Sequence, residues 1–164
     1  MSESSPPLTH VVAITAVSLM RADGEFTGAE VSVAAKILLT NFGSPGETYE
    51  DAVKWIYEVN EELEKIDDPT EYGNFVAYAA FSVKEQTSHE QRVTLYVQLD
   101  MIAQSDGYDE REKIALSLIR EVWELEDDVT AVWAAAKNFP SAKKTSSGCA
   151  LFLLPLVGML SLTV

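Results

Sequence analysis

What this chain has little of sets the first limits. It has a single cysteine, Cys149, so no internal disulfide framework can form and a reducing, cytoplasmic setting suits it. Its two histidines, His10 and His89, have no cysteine or second histidine at ligand spacing, which argues against zinc. Positive charge is scarce: 12 Lys and Arg stand against 26 Asp and Glu, a formal net charge of −14. Such a chain repels nucleic acid and favours cations or basic protein partners. There is no Gly-rich phosphate loop, no recognisable nucleophile–base–orienter set and no basic aromatic groove, so a non-enzymatic role is expected. The opening MSESSPPLTH carries acid and proline where a secretory signal needs a basic start and an apolar run. Residues 1–7 are expected to be disordered.

Strict apolar–polar alternation is scarce too, and helical spacing fills its place. The 164 residues suffice for one domain with a real core. Leu8 to Ala22 is apolar almost all round, which marks a helix at the centre of that core. Val31, Ala34, Ala35, Leu38 and Phe42 stripe a second helix, which Ser44-Pro45-Gly46 ends. A third buries Ala52, Ile56, Val59, Leu63 and Ile66 beneath an acidic outer face. Asp68-Pro69-Thr70-Glu71 reads as a cap, a first-turn proline and a closing glutamate for a fourth, which runs through Phe75, Val76, Ala79, Ala80 and Val83. Ser88 to Gln91 is another capping box, opening a fifth helix through Leu95, Leu99 and Ile102. A sixth spans Asp109 to Leu125 with Ile114, Leu118, Ile119 and Trp123 inward. A seventh, Asp128 to Asn138, stops before Pro140. The expectation is an all-α bundle of about seven helices over residues 8–139. Trp55, Trp123 and Trp133 lie beside other apolar residues and are expected in the core.

One pattern occurs twice. Arg21-Ala22-Asp23-Gly24 ends the first helix, and Thr27-Gly28-Ala29-Glu30 opens the second as a capping box. Ser105-Asp106-Gly107 ends the fifth helix, and Asp109-Glu110-Arg111-Glu112 opens the sixth, with one residue fewer between the glycine and the cap. The fold is thus expected to contain two related helical hairpins. An EF-hand reading of the first copy places Glu30 at the twelfth position but puts Leu19 and Arg21 where oxygen ligands belong. The second copy offers Ile102, Gln104 and Lys113 there, so an ordinary calcium loop is excluded. Turn chemistry explains the motif by itself: glycine supplies a left-handed bend, and aspartate folds onto nearby amides. It leaves Glu25 and the mid-helix Asp100 unexplained. If the two turns converge, Asp23, Glu25, Asp106 and Asp109, with the capping glutamates Glu30 and Glu112, would form a shared acidic surface. Such a surface could hold a divalent cation, Ca²⁺ or Mg²⁺, weakly and with water completing the shell.

This repeated Asp-Gly turn, followed by a cap and a glutamate in each half of an acidic helical chain, resembles the tellurite-resistance TerB-like domain over Leu8 to Asn138. The resemblance implies a non-enzymatic module of a tellurite, chemical-stress or metal-response system, often near membranes or in larger complexes. It implies a functional surface at Asp23 and Glu30, and at Asp106 and Glu112. The shortened second turn and the C-terminal tail depart from the family pattern. A separate surface for a basic protein partner is offered by the acidic third helix, at Glu58, Glu61 and Glu62.

The tail follows a linker, residues 140–148, that carries Lys143 and Lys144. From Cys149 to Val164 it reads CALFLLPLVGMLSLTV, without a charge. Paired lysines before an apolar run suggest membrane contact. Yet a helix of this length reaches only about 24 Å, short of a hydrocarbon core of roughly 30 Å, and Pro155 and Gly158 weaken it. Packing on the domain or on a partner is the competing expectation. Cys149 is read as a buried thiol, or as an acylation site if the tail meets a membrane.

Overall fold

A computed structural model describes residues 6–107 and 109–125, and the described residues are helical with no strand. The elements are α1 (Leu8–Met20), α2 (Gly28–Phe42), α3 (Tyr49–Glu64), α4 (Pro69–Gln86), α5 (His89–Ala103) and α6 (Glu110–Val122). The expected seventh helix, the linker and the tail lie outside the described residues, and with them Trp133, Cys149 and the question of membrane contact. Among the described residues no helix is long and apolar enough to cross a membrane.

The arrangement follows from α1. It packs against every other described helix, and those neighbours succeed one another around it in the order α3, α2, α5, α6, α4. A helix surrounded in this way must be apolar on all faces, and nine of its residues between Val11 and Met20 are buried. Two of its hydroxyl groups bond within the helix: Thr15 donates to the Val11 carbonyl at 2.8 Å and Ser18 to that of Ile14 at 2.7 Å. The hairpins α1–α2 and α5–α6 meet through α1 and α5, and each outer helix also touches the inner helix of the other hairpin. This cross-packing is what two related halves produce when their inner helices face each other.

The expected stripes of α2, α3 and α5 are buried, except that Phe42 and Ile66 are only half-buried. In α4, Ala79, Ala80 and Val83 face inward while Phe75 and Val76 are half-exposed. Asp68 caps α4 as expected, accepting from Thr70 N at 2.7 Å and Glu71 N at 2.9 Å, but the reciprocal bond expected from Glu71 is not formed. Proline at the first helical position already fixes the start, so a second capping bond adds little. A capping box with no counterpart in the sequence reading opens α3, where Thr48 and Asp51 bond reciprocally.

In α6 the expectation is corrected. Ile114 and Leu118 are exposed, at 57% and 58%, rather than inward. The buried stripe is Glu112, Leu116, Ile119 and Trp123. Its register is set at the N-terminus, where Glu112 must turn inward to reach its cap. A residue two positions later lies about 200° round the helix and faces away. Trp123 secures the far end, donating from Nε1 to the Ala80 carbonyl of α4 at 2.9 Å. Beyond it, Glu124 adopts a left-handed φ of 57°, and Leu125 N closes the helix on the Arg120 carbonyl at 3.1 Å.

Candidate functional site

The two Asp-Gly turns share a glycine of positive φ and a capping box that opens the next helix. Gly24 has φ 89° and Gly107 has φ 135°, conformations that a side chain disfavours. In the first turn Asp23 Oδ1 accepts from Glu25 N at 2.8 Å, which accounts for the aspartate as a turn former. Thr27 then caps α2: its Oγ1 accepts from Glu30 N at 3.3 Å, while Glu30 Oε2 accepts from both Thr27 N and Thr27 Oγ1 at 2.9 Å. In the second turn Asp109 Oδ1 accepts from Arg111 N at 2.8 Å and from Arg111 Nε at 3.1 Å. Glu112 Oε2 accepts from Asp109 N at 3.0 Å.

Both closing glutamates are carried inward by these boxes, Glu30 to 2% exposure and Glu112 to 1%. Burial pushes the Glu30 carboxyl up to about 7, against the pull of its Thr27 bonds, and repulsion from Asp106 and Glu112 adds to the rise. Burial likewise raises Glu112, with the Asp109 amide opposing and the charges of Asp23, Asp106 and Asp109 reinforcing it. Residues of each turn therefore act on the glutamate of the other. Glu30, Glu112, Asp23 and Asp106 share one electrostatic neighbourhood, with Asp109 beside Glu112. Asp109 itself is held below the usual carboxylate range by its bonds to Arg111.

Three buried side-chain atoms among the described residues have no hydrogen-bond partner: Arg92 Nε, Ser105 Oγ and Glu112 Oε1. An ionised oxygen in the position of Glu112 Oε1 is costly, which is the burial effect that raises the Glu112 carboxyl. As the side chains stand, no group of three or more acidic, histidine or cysteine residues among the described residues is arranged to hold a metal ion. The donor set fits at most the looser arrangement in which one or two carboxylates and several waters hold a hard cation such as Mg²⁺.

Several candidates lie apart from this neighbourhood. Glu25 is exposed, and only its amide takes part in the turn. Asp100 is buried in α5 and accepts from Gln104 Nε2 at 2.7 Å. Glu58, Glu61 and Glu62 are exposed on α3, with Glu58 3.3 Å from Lys54 Nζ and Glu62 3.6 Å from His10 Nε2. The residues that spoiled the calcium loop have structural tasks. Leu19 is buried, and Arg21 reaches α3, donating to Asn60 Oδ1 at 2.7 Å and Glu64 Oε1 at 3.3 Å. The Phe26 ring meets Tyr57 of α3 edge-on at 5.6 Å. These contacts brace the first turn from outside. They join residues far apart in sequence, and no local pattern announces them.

No family model matches the chain, and no curated protein or solved structure matches it.

Proposed function

We propose that this chain is a non-catalytic helical module of TerB-like kind that serves a tellurite, chemical-stress or metal-response assembly through its paired Asp-Gly turns. The turns present a weak, cation-responsive acidic surface. The observation that carries this reading is the buried, unpartnered Oε1 of Glu112 in a neighbourhood of like charge that also raises Glu30. Carboxylates held together against their repulsion are stabilised when a proton or a divalent cation enters. Either event relieves strain on the first turns of α2 and α6 at once, which makes the pair a coupling point between the two hairpins.

The test is calorimetric titration of the full chain with Mg²⁺ and, separately, Ca²⁺ at neutral pH, with thermal unfolding followed in parallel. Saturable binding with a raised midpoint, lost in Glu112→Gln and weakened in Asp106→Asn, is the expected result. Absence of heat and of any shift for both ions would remove the cation reading and leave a protein adaptor. The acidic exposed face of α3 is what favours that second reading, since Glu58, Glu61 and Glu62 stand in solvent with only partial pairing.

A further inference from the structure

A half-open groove of about 460 Å³ lies at the opposite end of the α1–α2 hairpin from the acidic turns. It is bounded by the start of α1, the end of α2 and the start of α3. Its apolar lining comes from Leu38, Leu39, Phe42, Ala52 and Trp55. Leu39, Phe42 and Trp55 are only half-buried, so the fold leaves these large side chains partly uncovered. The size falls in the range of cavities that take a ligand or an anchoring side chain.

The polar lining is one-sided. Among the described residues, Glu47 and Asp51 contribute carboxylates, and no lysine or arginine lines the groove. Glu47 Oε2 accepts from Ser44 N and Asp51 Oδ2 from Thr48 N, so local amides hold both in place at the chain entry to α3. The Thr48 bonds also hold Asp51 below the usual carboxylate range, in its charged form. Down the same helix the exposed acidic face continues through Glu58, Glu61 and Glu62, and His10 of the groove stands 3.6 Å from Glu62. An apolar trough beside an acidic ridge matches an occupant with an apolar stripe flanked by positive charge. An acidic occupant would bring its own carboxylates against Glu47 and Asp51, and a purely polar one would leave Phe42 and Trp55 in contact with water.

We infer that this groove docks a basic amphipathic helix of a protein partner, with an apolar side chain seated between Phe42 and Trp55 and lysine or arginine facing Glu47, Asp51 and the outer face of α3. This site is separate from the paired turns and does not depend on their binding cations.

The test uses a labelled peptide of leucine and lysine at helical spacing, titrated with the full chain and no divalent cation while anisotropy is read. Two controls accompany it, one with glutamate for every lysine and one with serine for every leucine. The leucine–lysine peptide is expected to bind best, and its affinity to fall as salt rises. Phe42→Ala should weaken it about tenfold, as loss of a central anchor does. Glu47→Gln keeps the acceptor for Ser44 N and should weaken binding about three- to fivefold at low salt. Glu47→Lys, at an exposed position that leaves the core intact, should weaken it further. Equal binding of the serine–lysine peptide would show attraction to bulk charge alone and overturn the proposal. So would unchanged affinity in Glu47→Lys together with either folded apolar variant, Phe42→Ala or Trp55→Phe. A concentration-dependent dimer in sedimentation that Phe42→Ala abolishes would assign the groove to a second copy of this chain, which also overturns it.

Discussion

The two Asp-Gly turns differ in the residue that caps the following helix, and that difference decides how each buried glutamate is satisfied. Thr27 has a hydroxyl, so Glu30 Oε2 receives two donors, the amide and Oγ1, both at 2.9 Å. Asp109 has a carboxylate, which cannot donate when ionised and adds a negative charge beside Glu112. Glu112 accepts a single bond through Oε2, and its other oxygen has none. The same fold device is thus well satisfied in the first hairpin and left wanting in the second. Capping boxes ordinarily serve stability alone. Here the second also leaves a buried oxygen without a hydrogen-bond partner.

The strongest way to break the comparison is to release the second hairpin. Trp123 anchors α6 to α4 as the largest fully buried side chain among the described residues, and its Nε1 donates to the Ala80 carbonyl at 2.9 Å. Trp123→Ala should lower unfolding free energy by about 3–5 kcal/mol in urea titration. Trp123→Phe should cost less, the remainder measuring the indole hydrogen bond with its share of ring volume. A loss under about 1 kcal/mol for the alanine variant would mean that α6 is not held by this contact.

Next is pH. Glu30 rises from its ordinary 4.5 to about 7 in the folded protein, so the fold binds a proton that the unfolded chain releases. Its contribution is fully present below about pH 4.5 and is lost as pH climbs through about 7. That move sets an upper bound of about 3–4 kcal/mol at roughly 1.4 kcal/mol per pH unit. Glu112 is raised as well and acts in the same direction. Glu30→Gln should therefore flatten the stability profile between these limits and stabilise the protein at pH 8. Because the two charges repel one another, the gains of Glu30→Gln and Glu112→Gln should be less than additive in the double variant. A profile unchanged by either substitution would remove the coupling between the turns.

The glycines give the next step down. Gly24 and Gly107 both have open space where a Cβ would go, so strain comes from the backbone alone. Alanine at either should cost about 1–2 kcal/mol. Gly107, with φ 135° against 89° for Gly24, lies further from the left-handed region that other residues tolerate and should cost the more. Equal losses would make the second turn as ordinary as the first.

Much of this was legible locally. Glycine, then a cap with glutamate three residues beyond it, identifies both turns, and the all-round apolar face of Leu8 to Met20 identifies the central helix. What sequence could not supply was direction. Ile114 and Leu118 look like core positions because they are apolar, but Glu112 sets the register of α6 and turns them outward. The same rule would have found Leu116, which follows Glu112 by four residues. Arg21 looked like a defect in a calcium loop and is instead a tie to Asn60 and Glu64, some forty residues away. Pairings of that range depend on how α1 and α3 pack, which periodicity does not encode. The juxtaposition of the two glutamates belongs to the same class, because it arises only when α1 and α5 face each other.

The smallest effect is the sharpest test, because it exchanges the capping residues of the two turns. Asp109→Thr would give Glu112 a hydroxyl donor like the one Thr27 gives Glu30, and would remove a negative charge from beside it. It would also forfeit the bonds that Asp109 Oδ1 accepts from Arg111 N and Nε. Threonine and aspartate are comparable caps, so the net change should be a stabilisation under about 1 kcal/mol at neutral pH. The reciprocal Thr27→Asp should destabilise by about 1–2 kcal/mol, since it withdraws a donor from Glu30 and places a like charge at its side. In the Asp109→Thr variant the pH dependence should shrink toward that of the first turn, and any Mg²⁺ response should weaken with it. Opposite signs for the two exchanges, read by denaturant titration at pH 5 and pH 8, would tie the behaviour of the pair to the capping residue. The same sign for both would mean that burial alone governs these glutamates and that the cap only ends the turn.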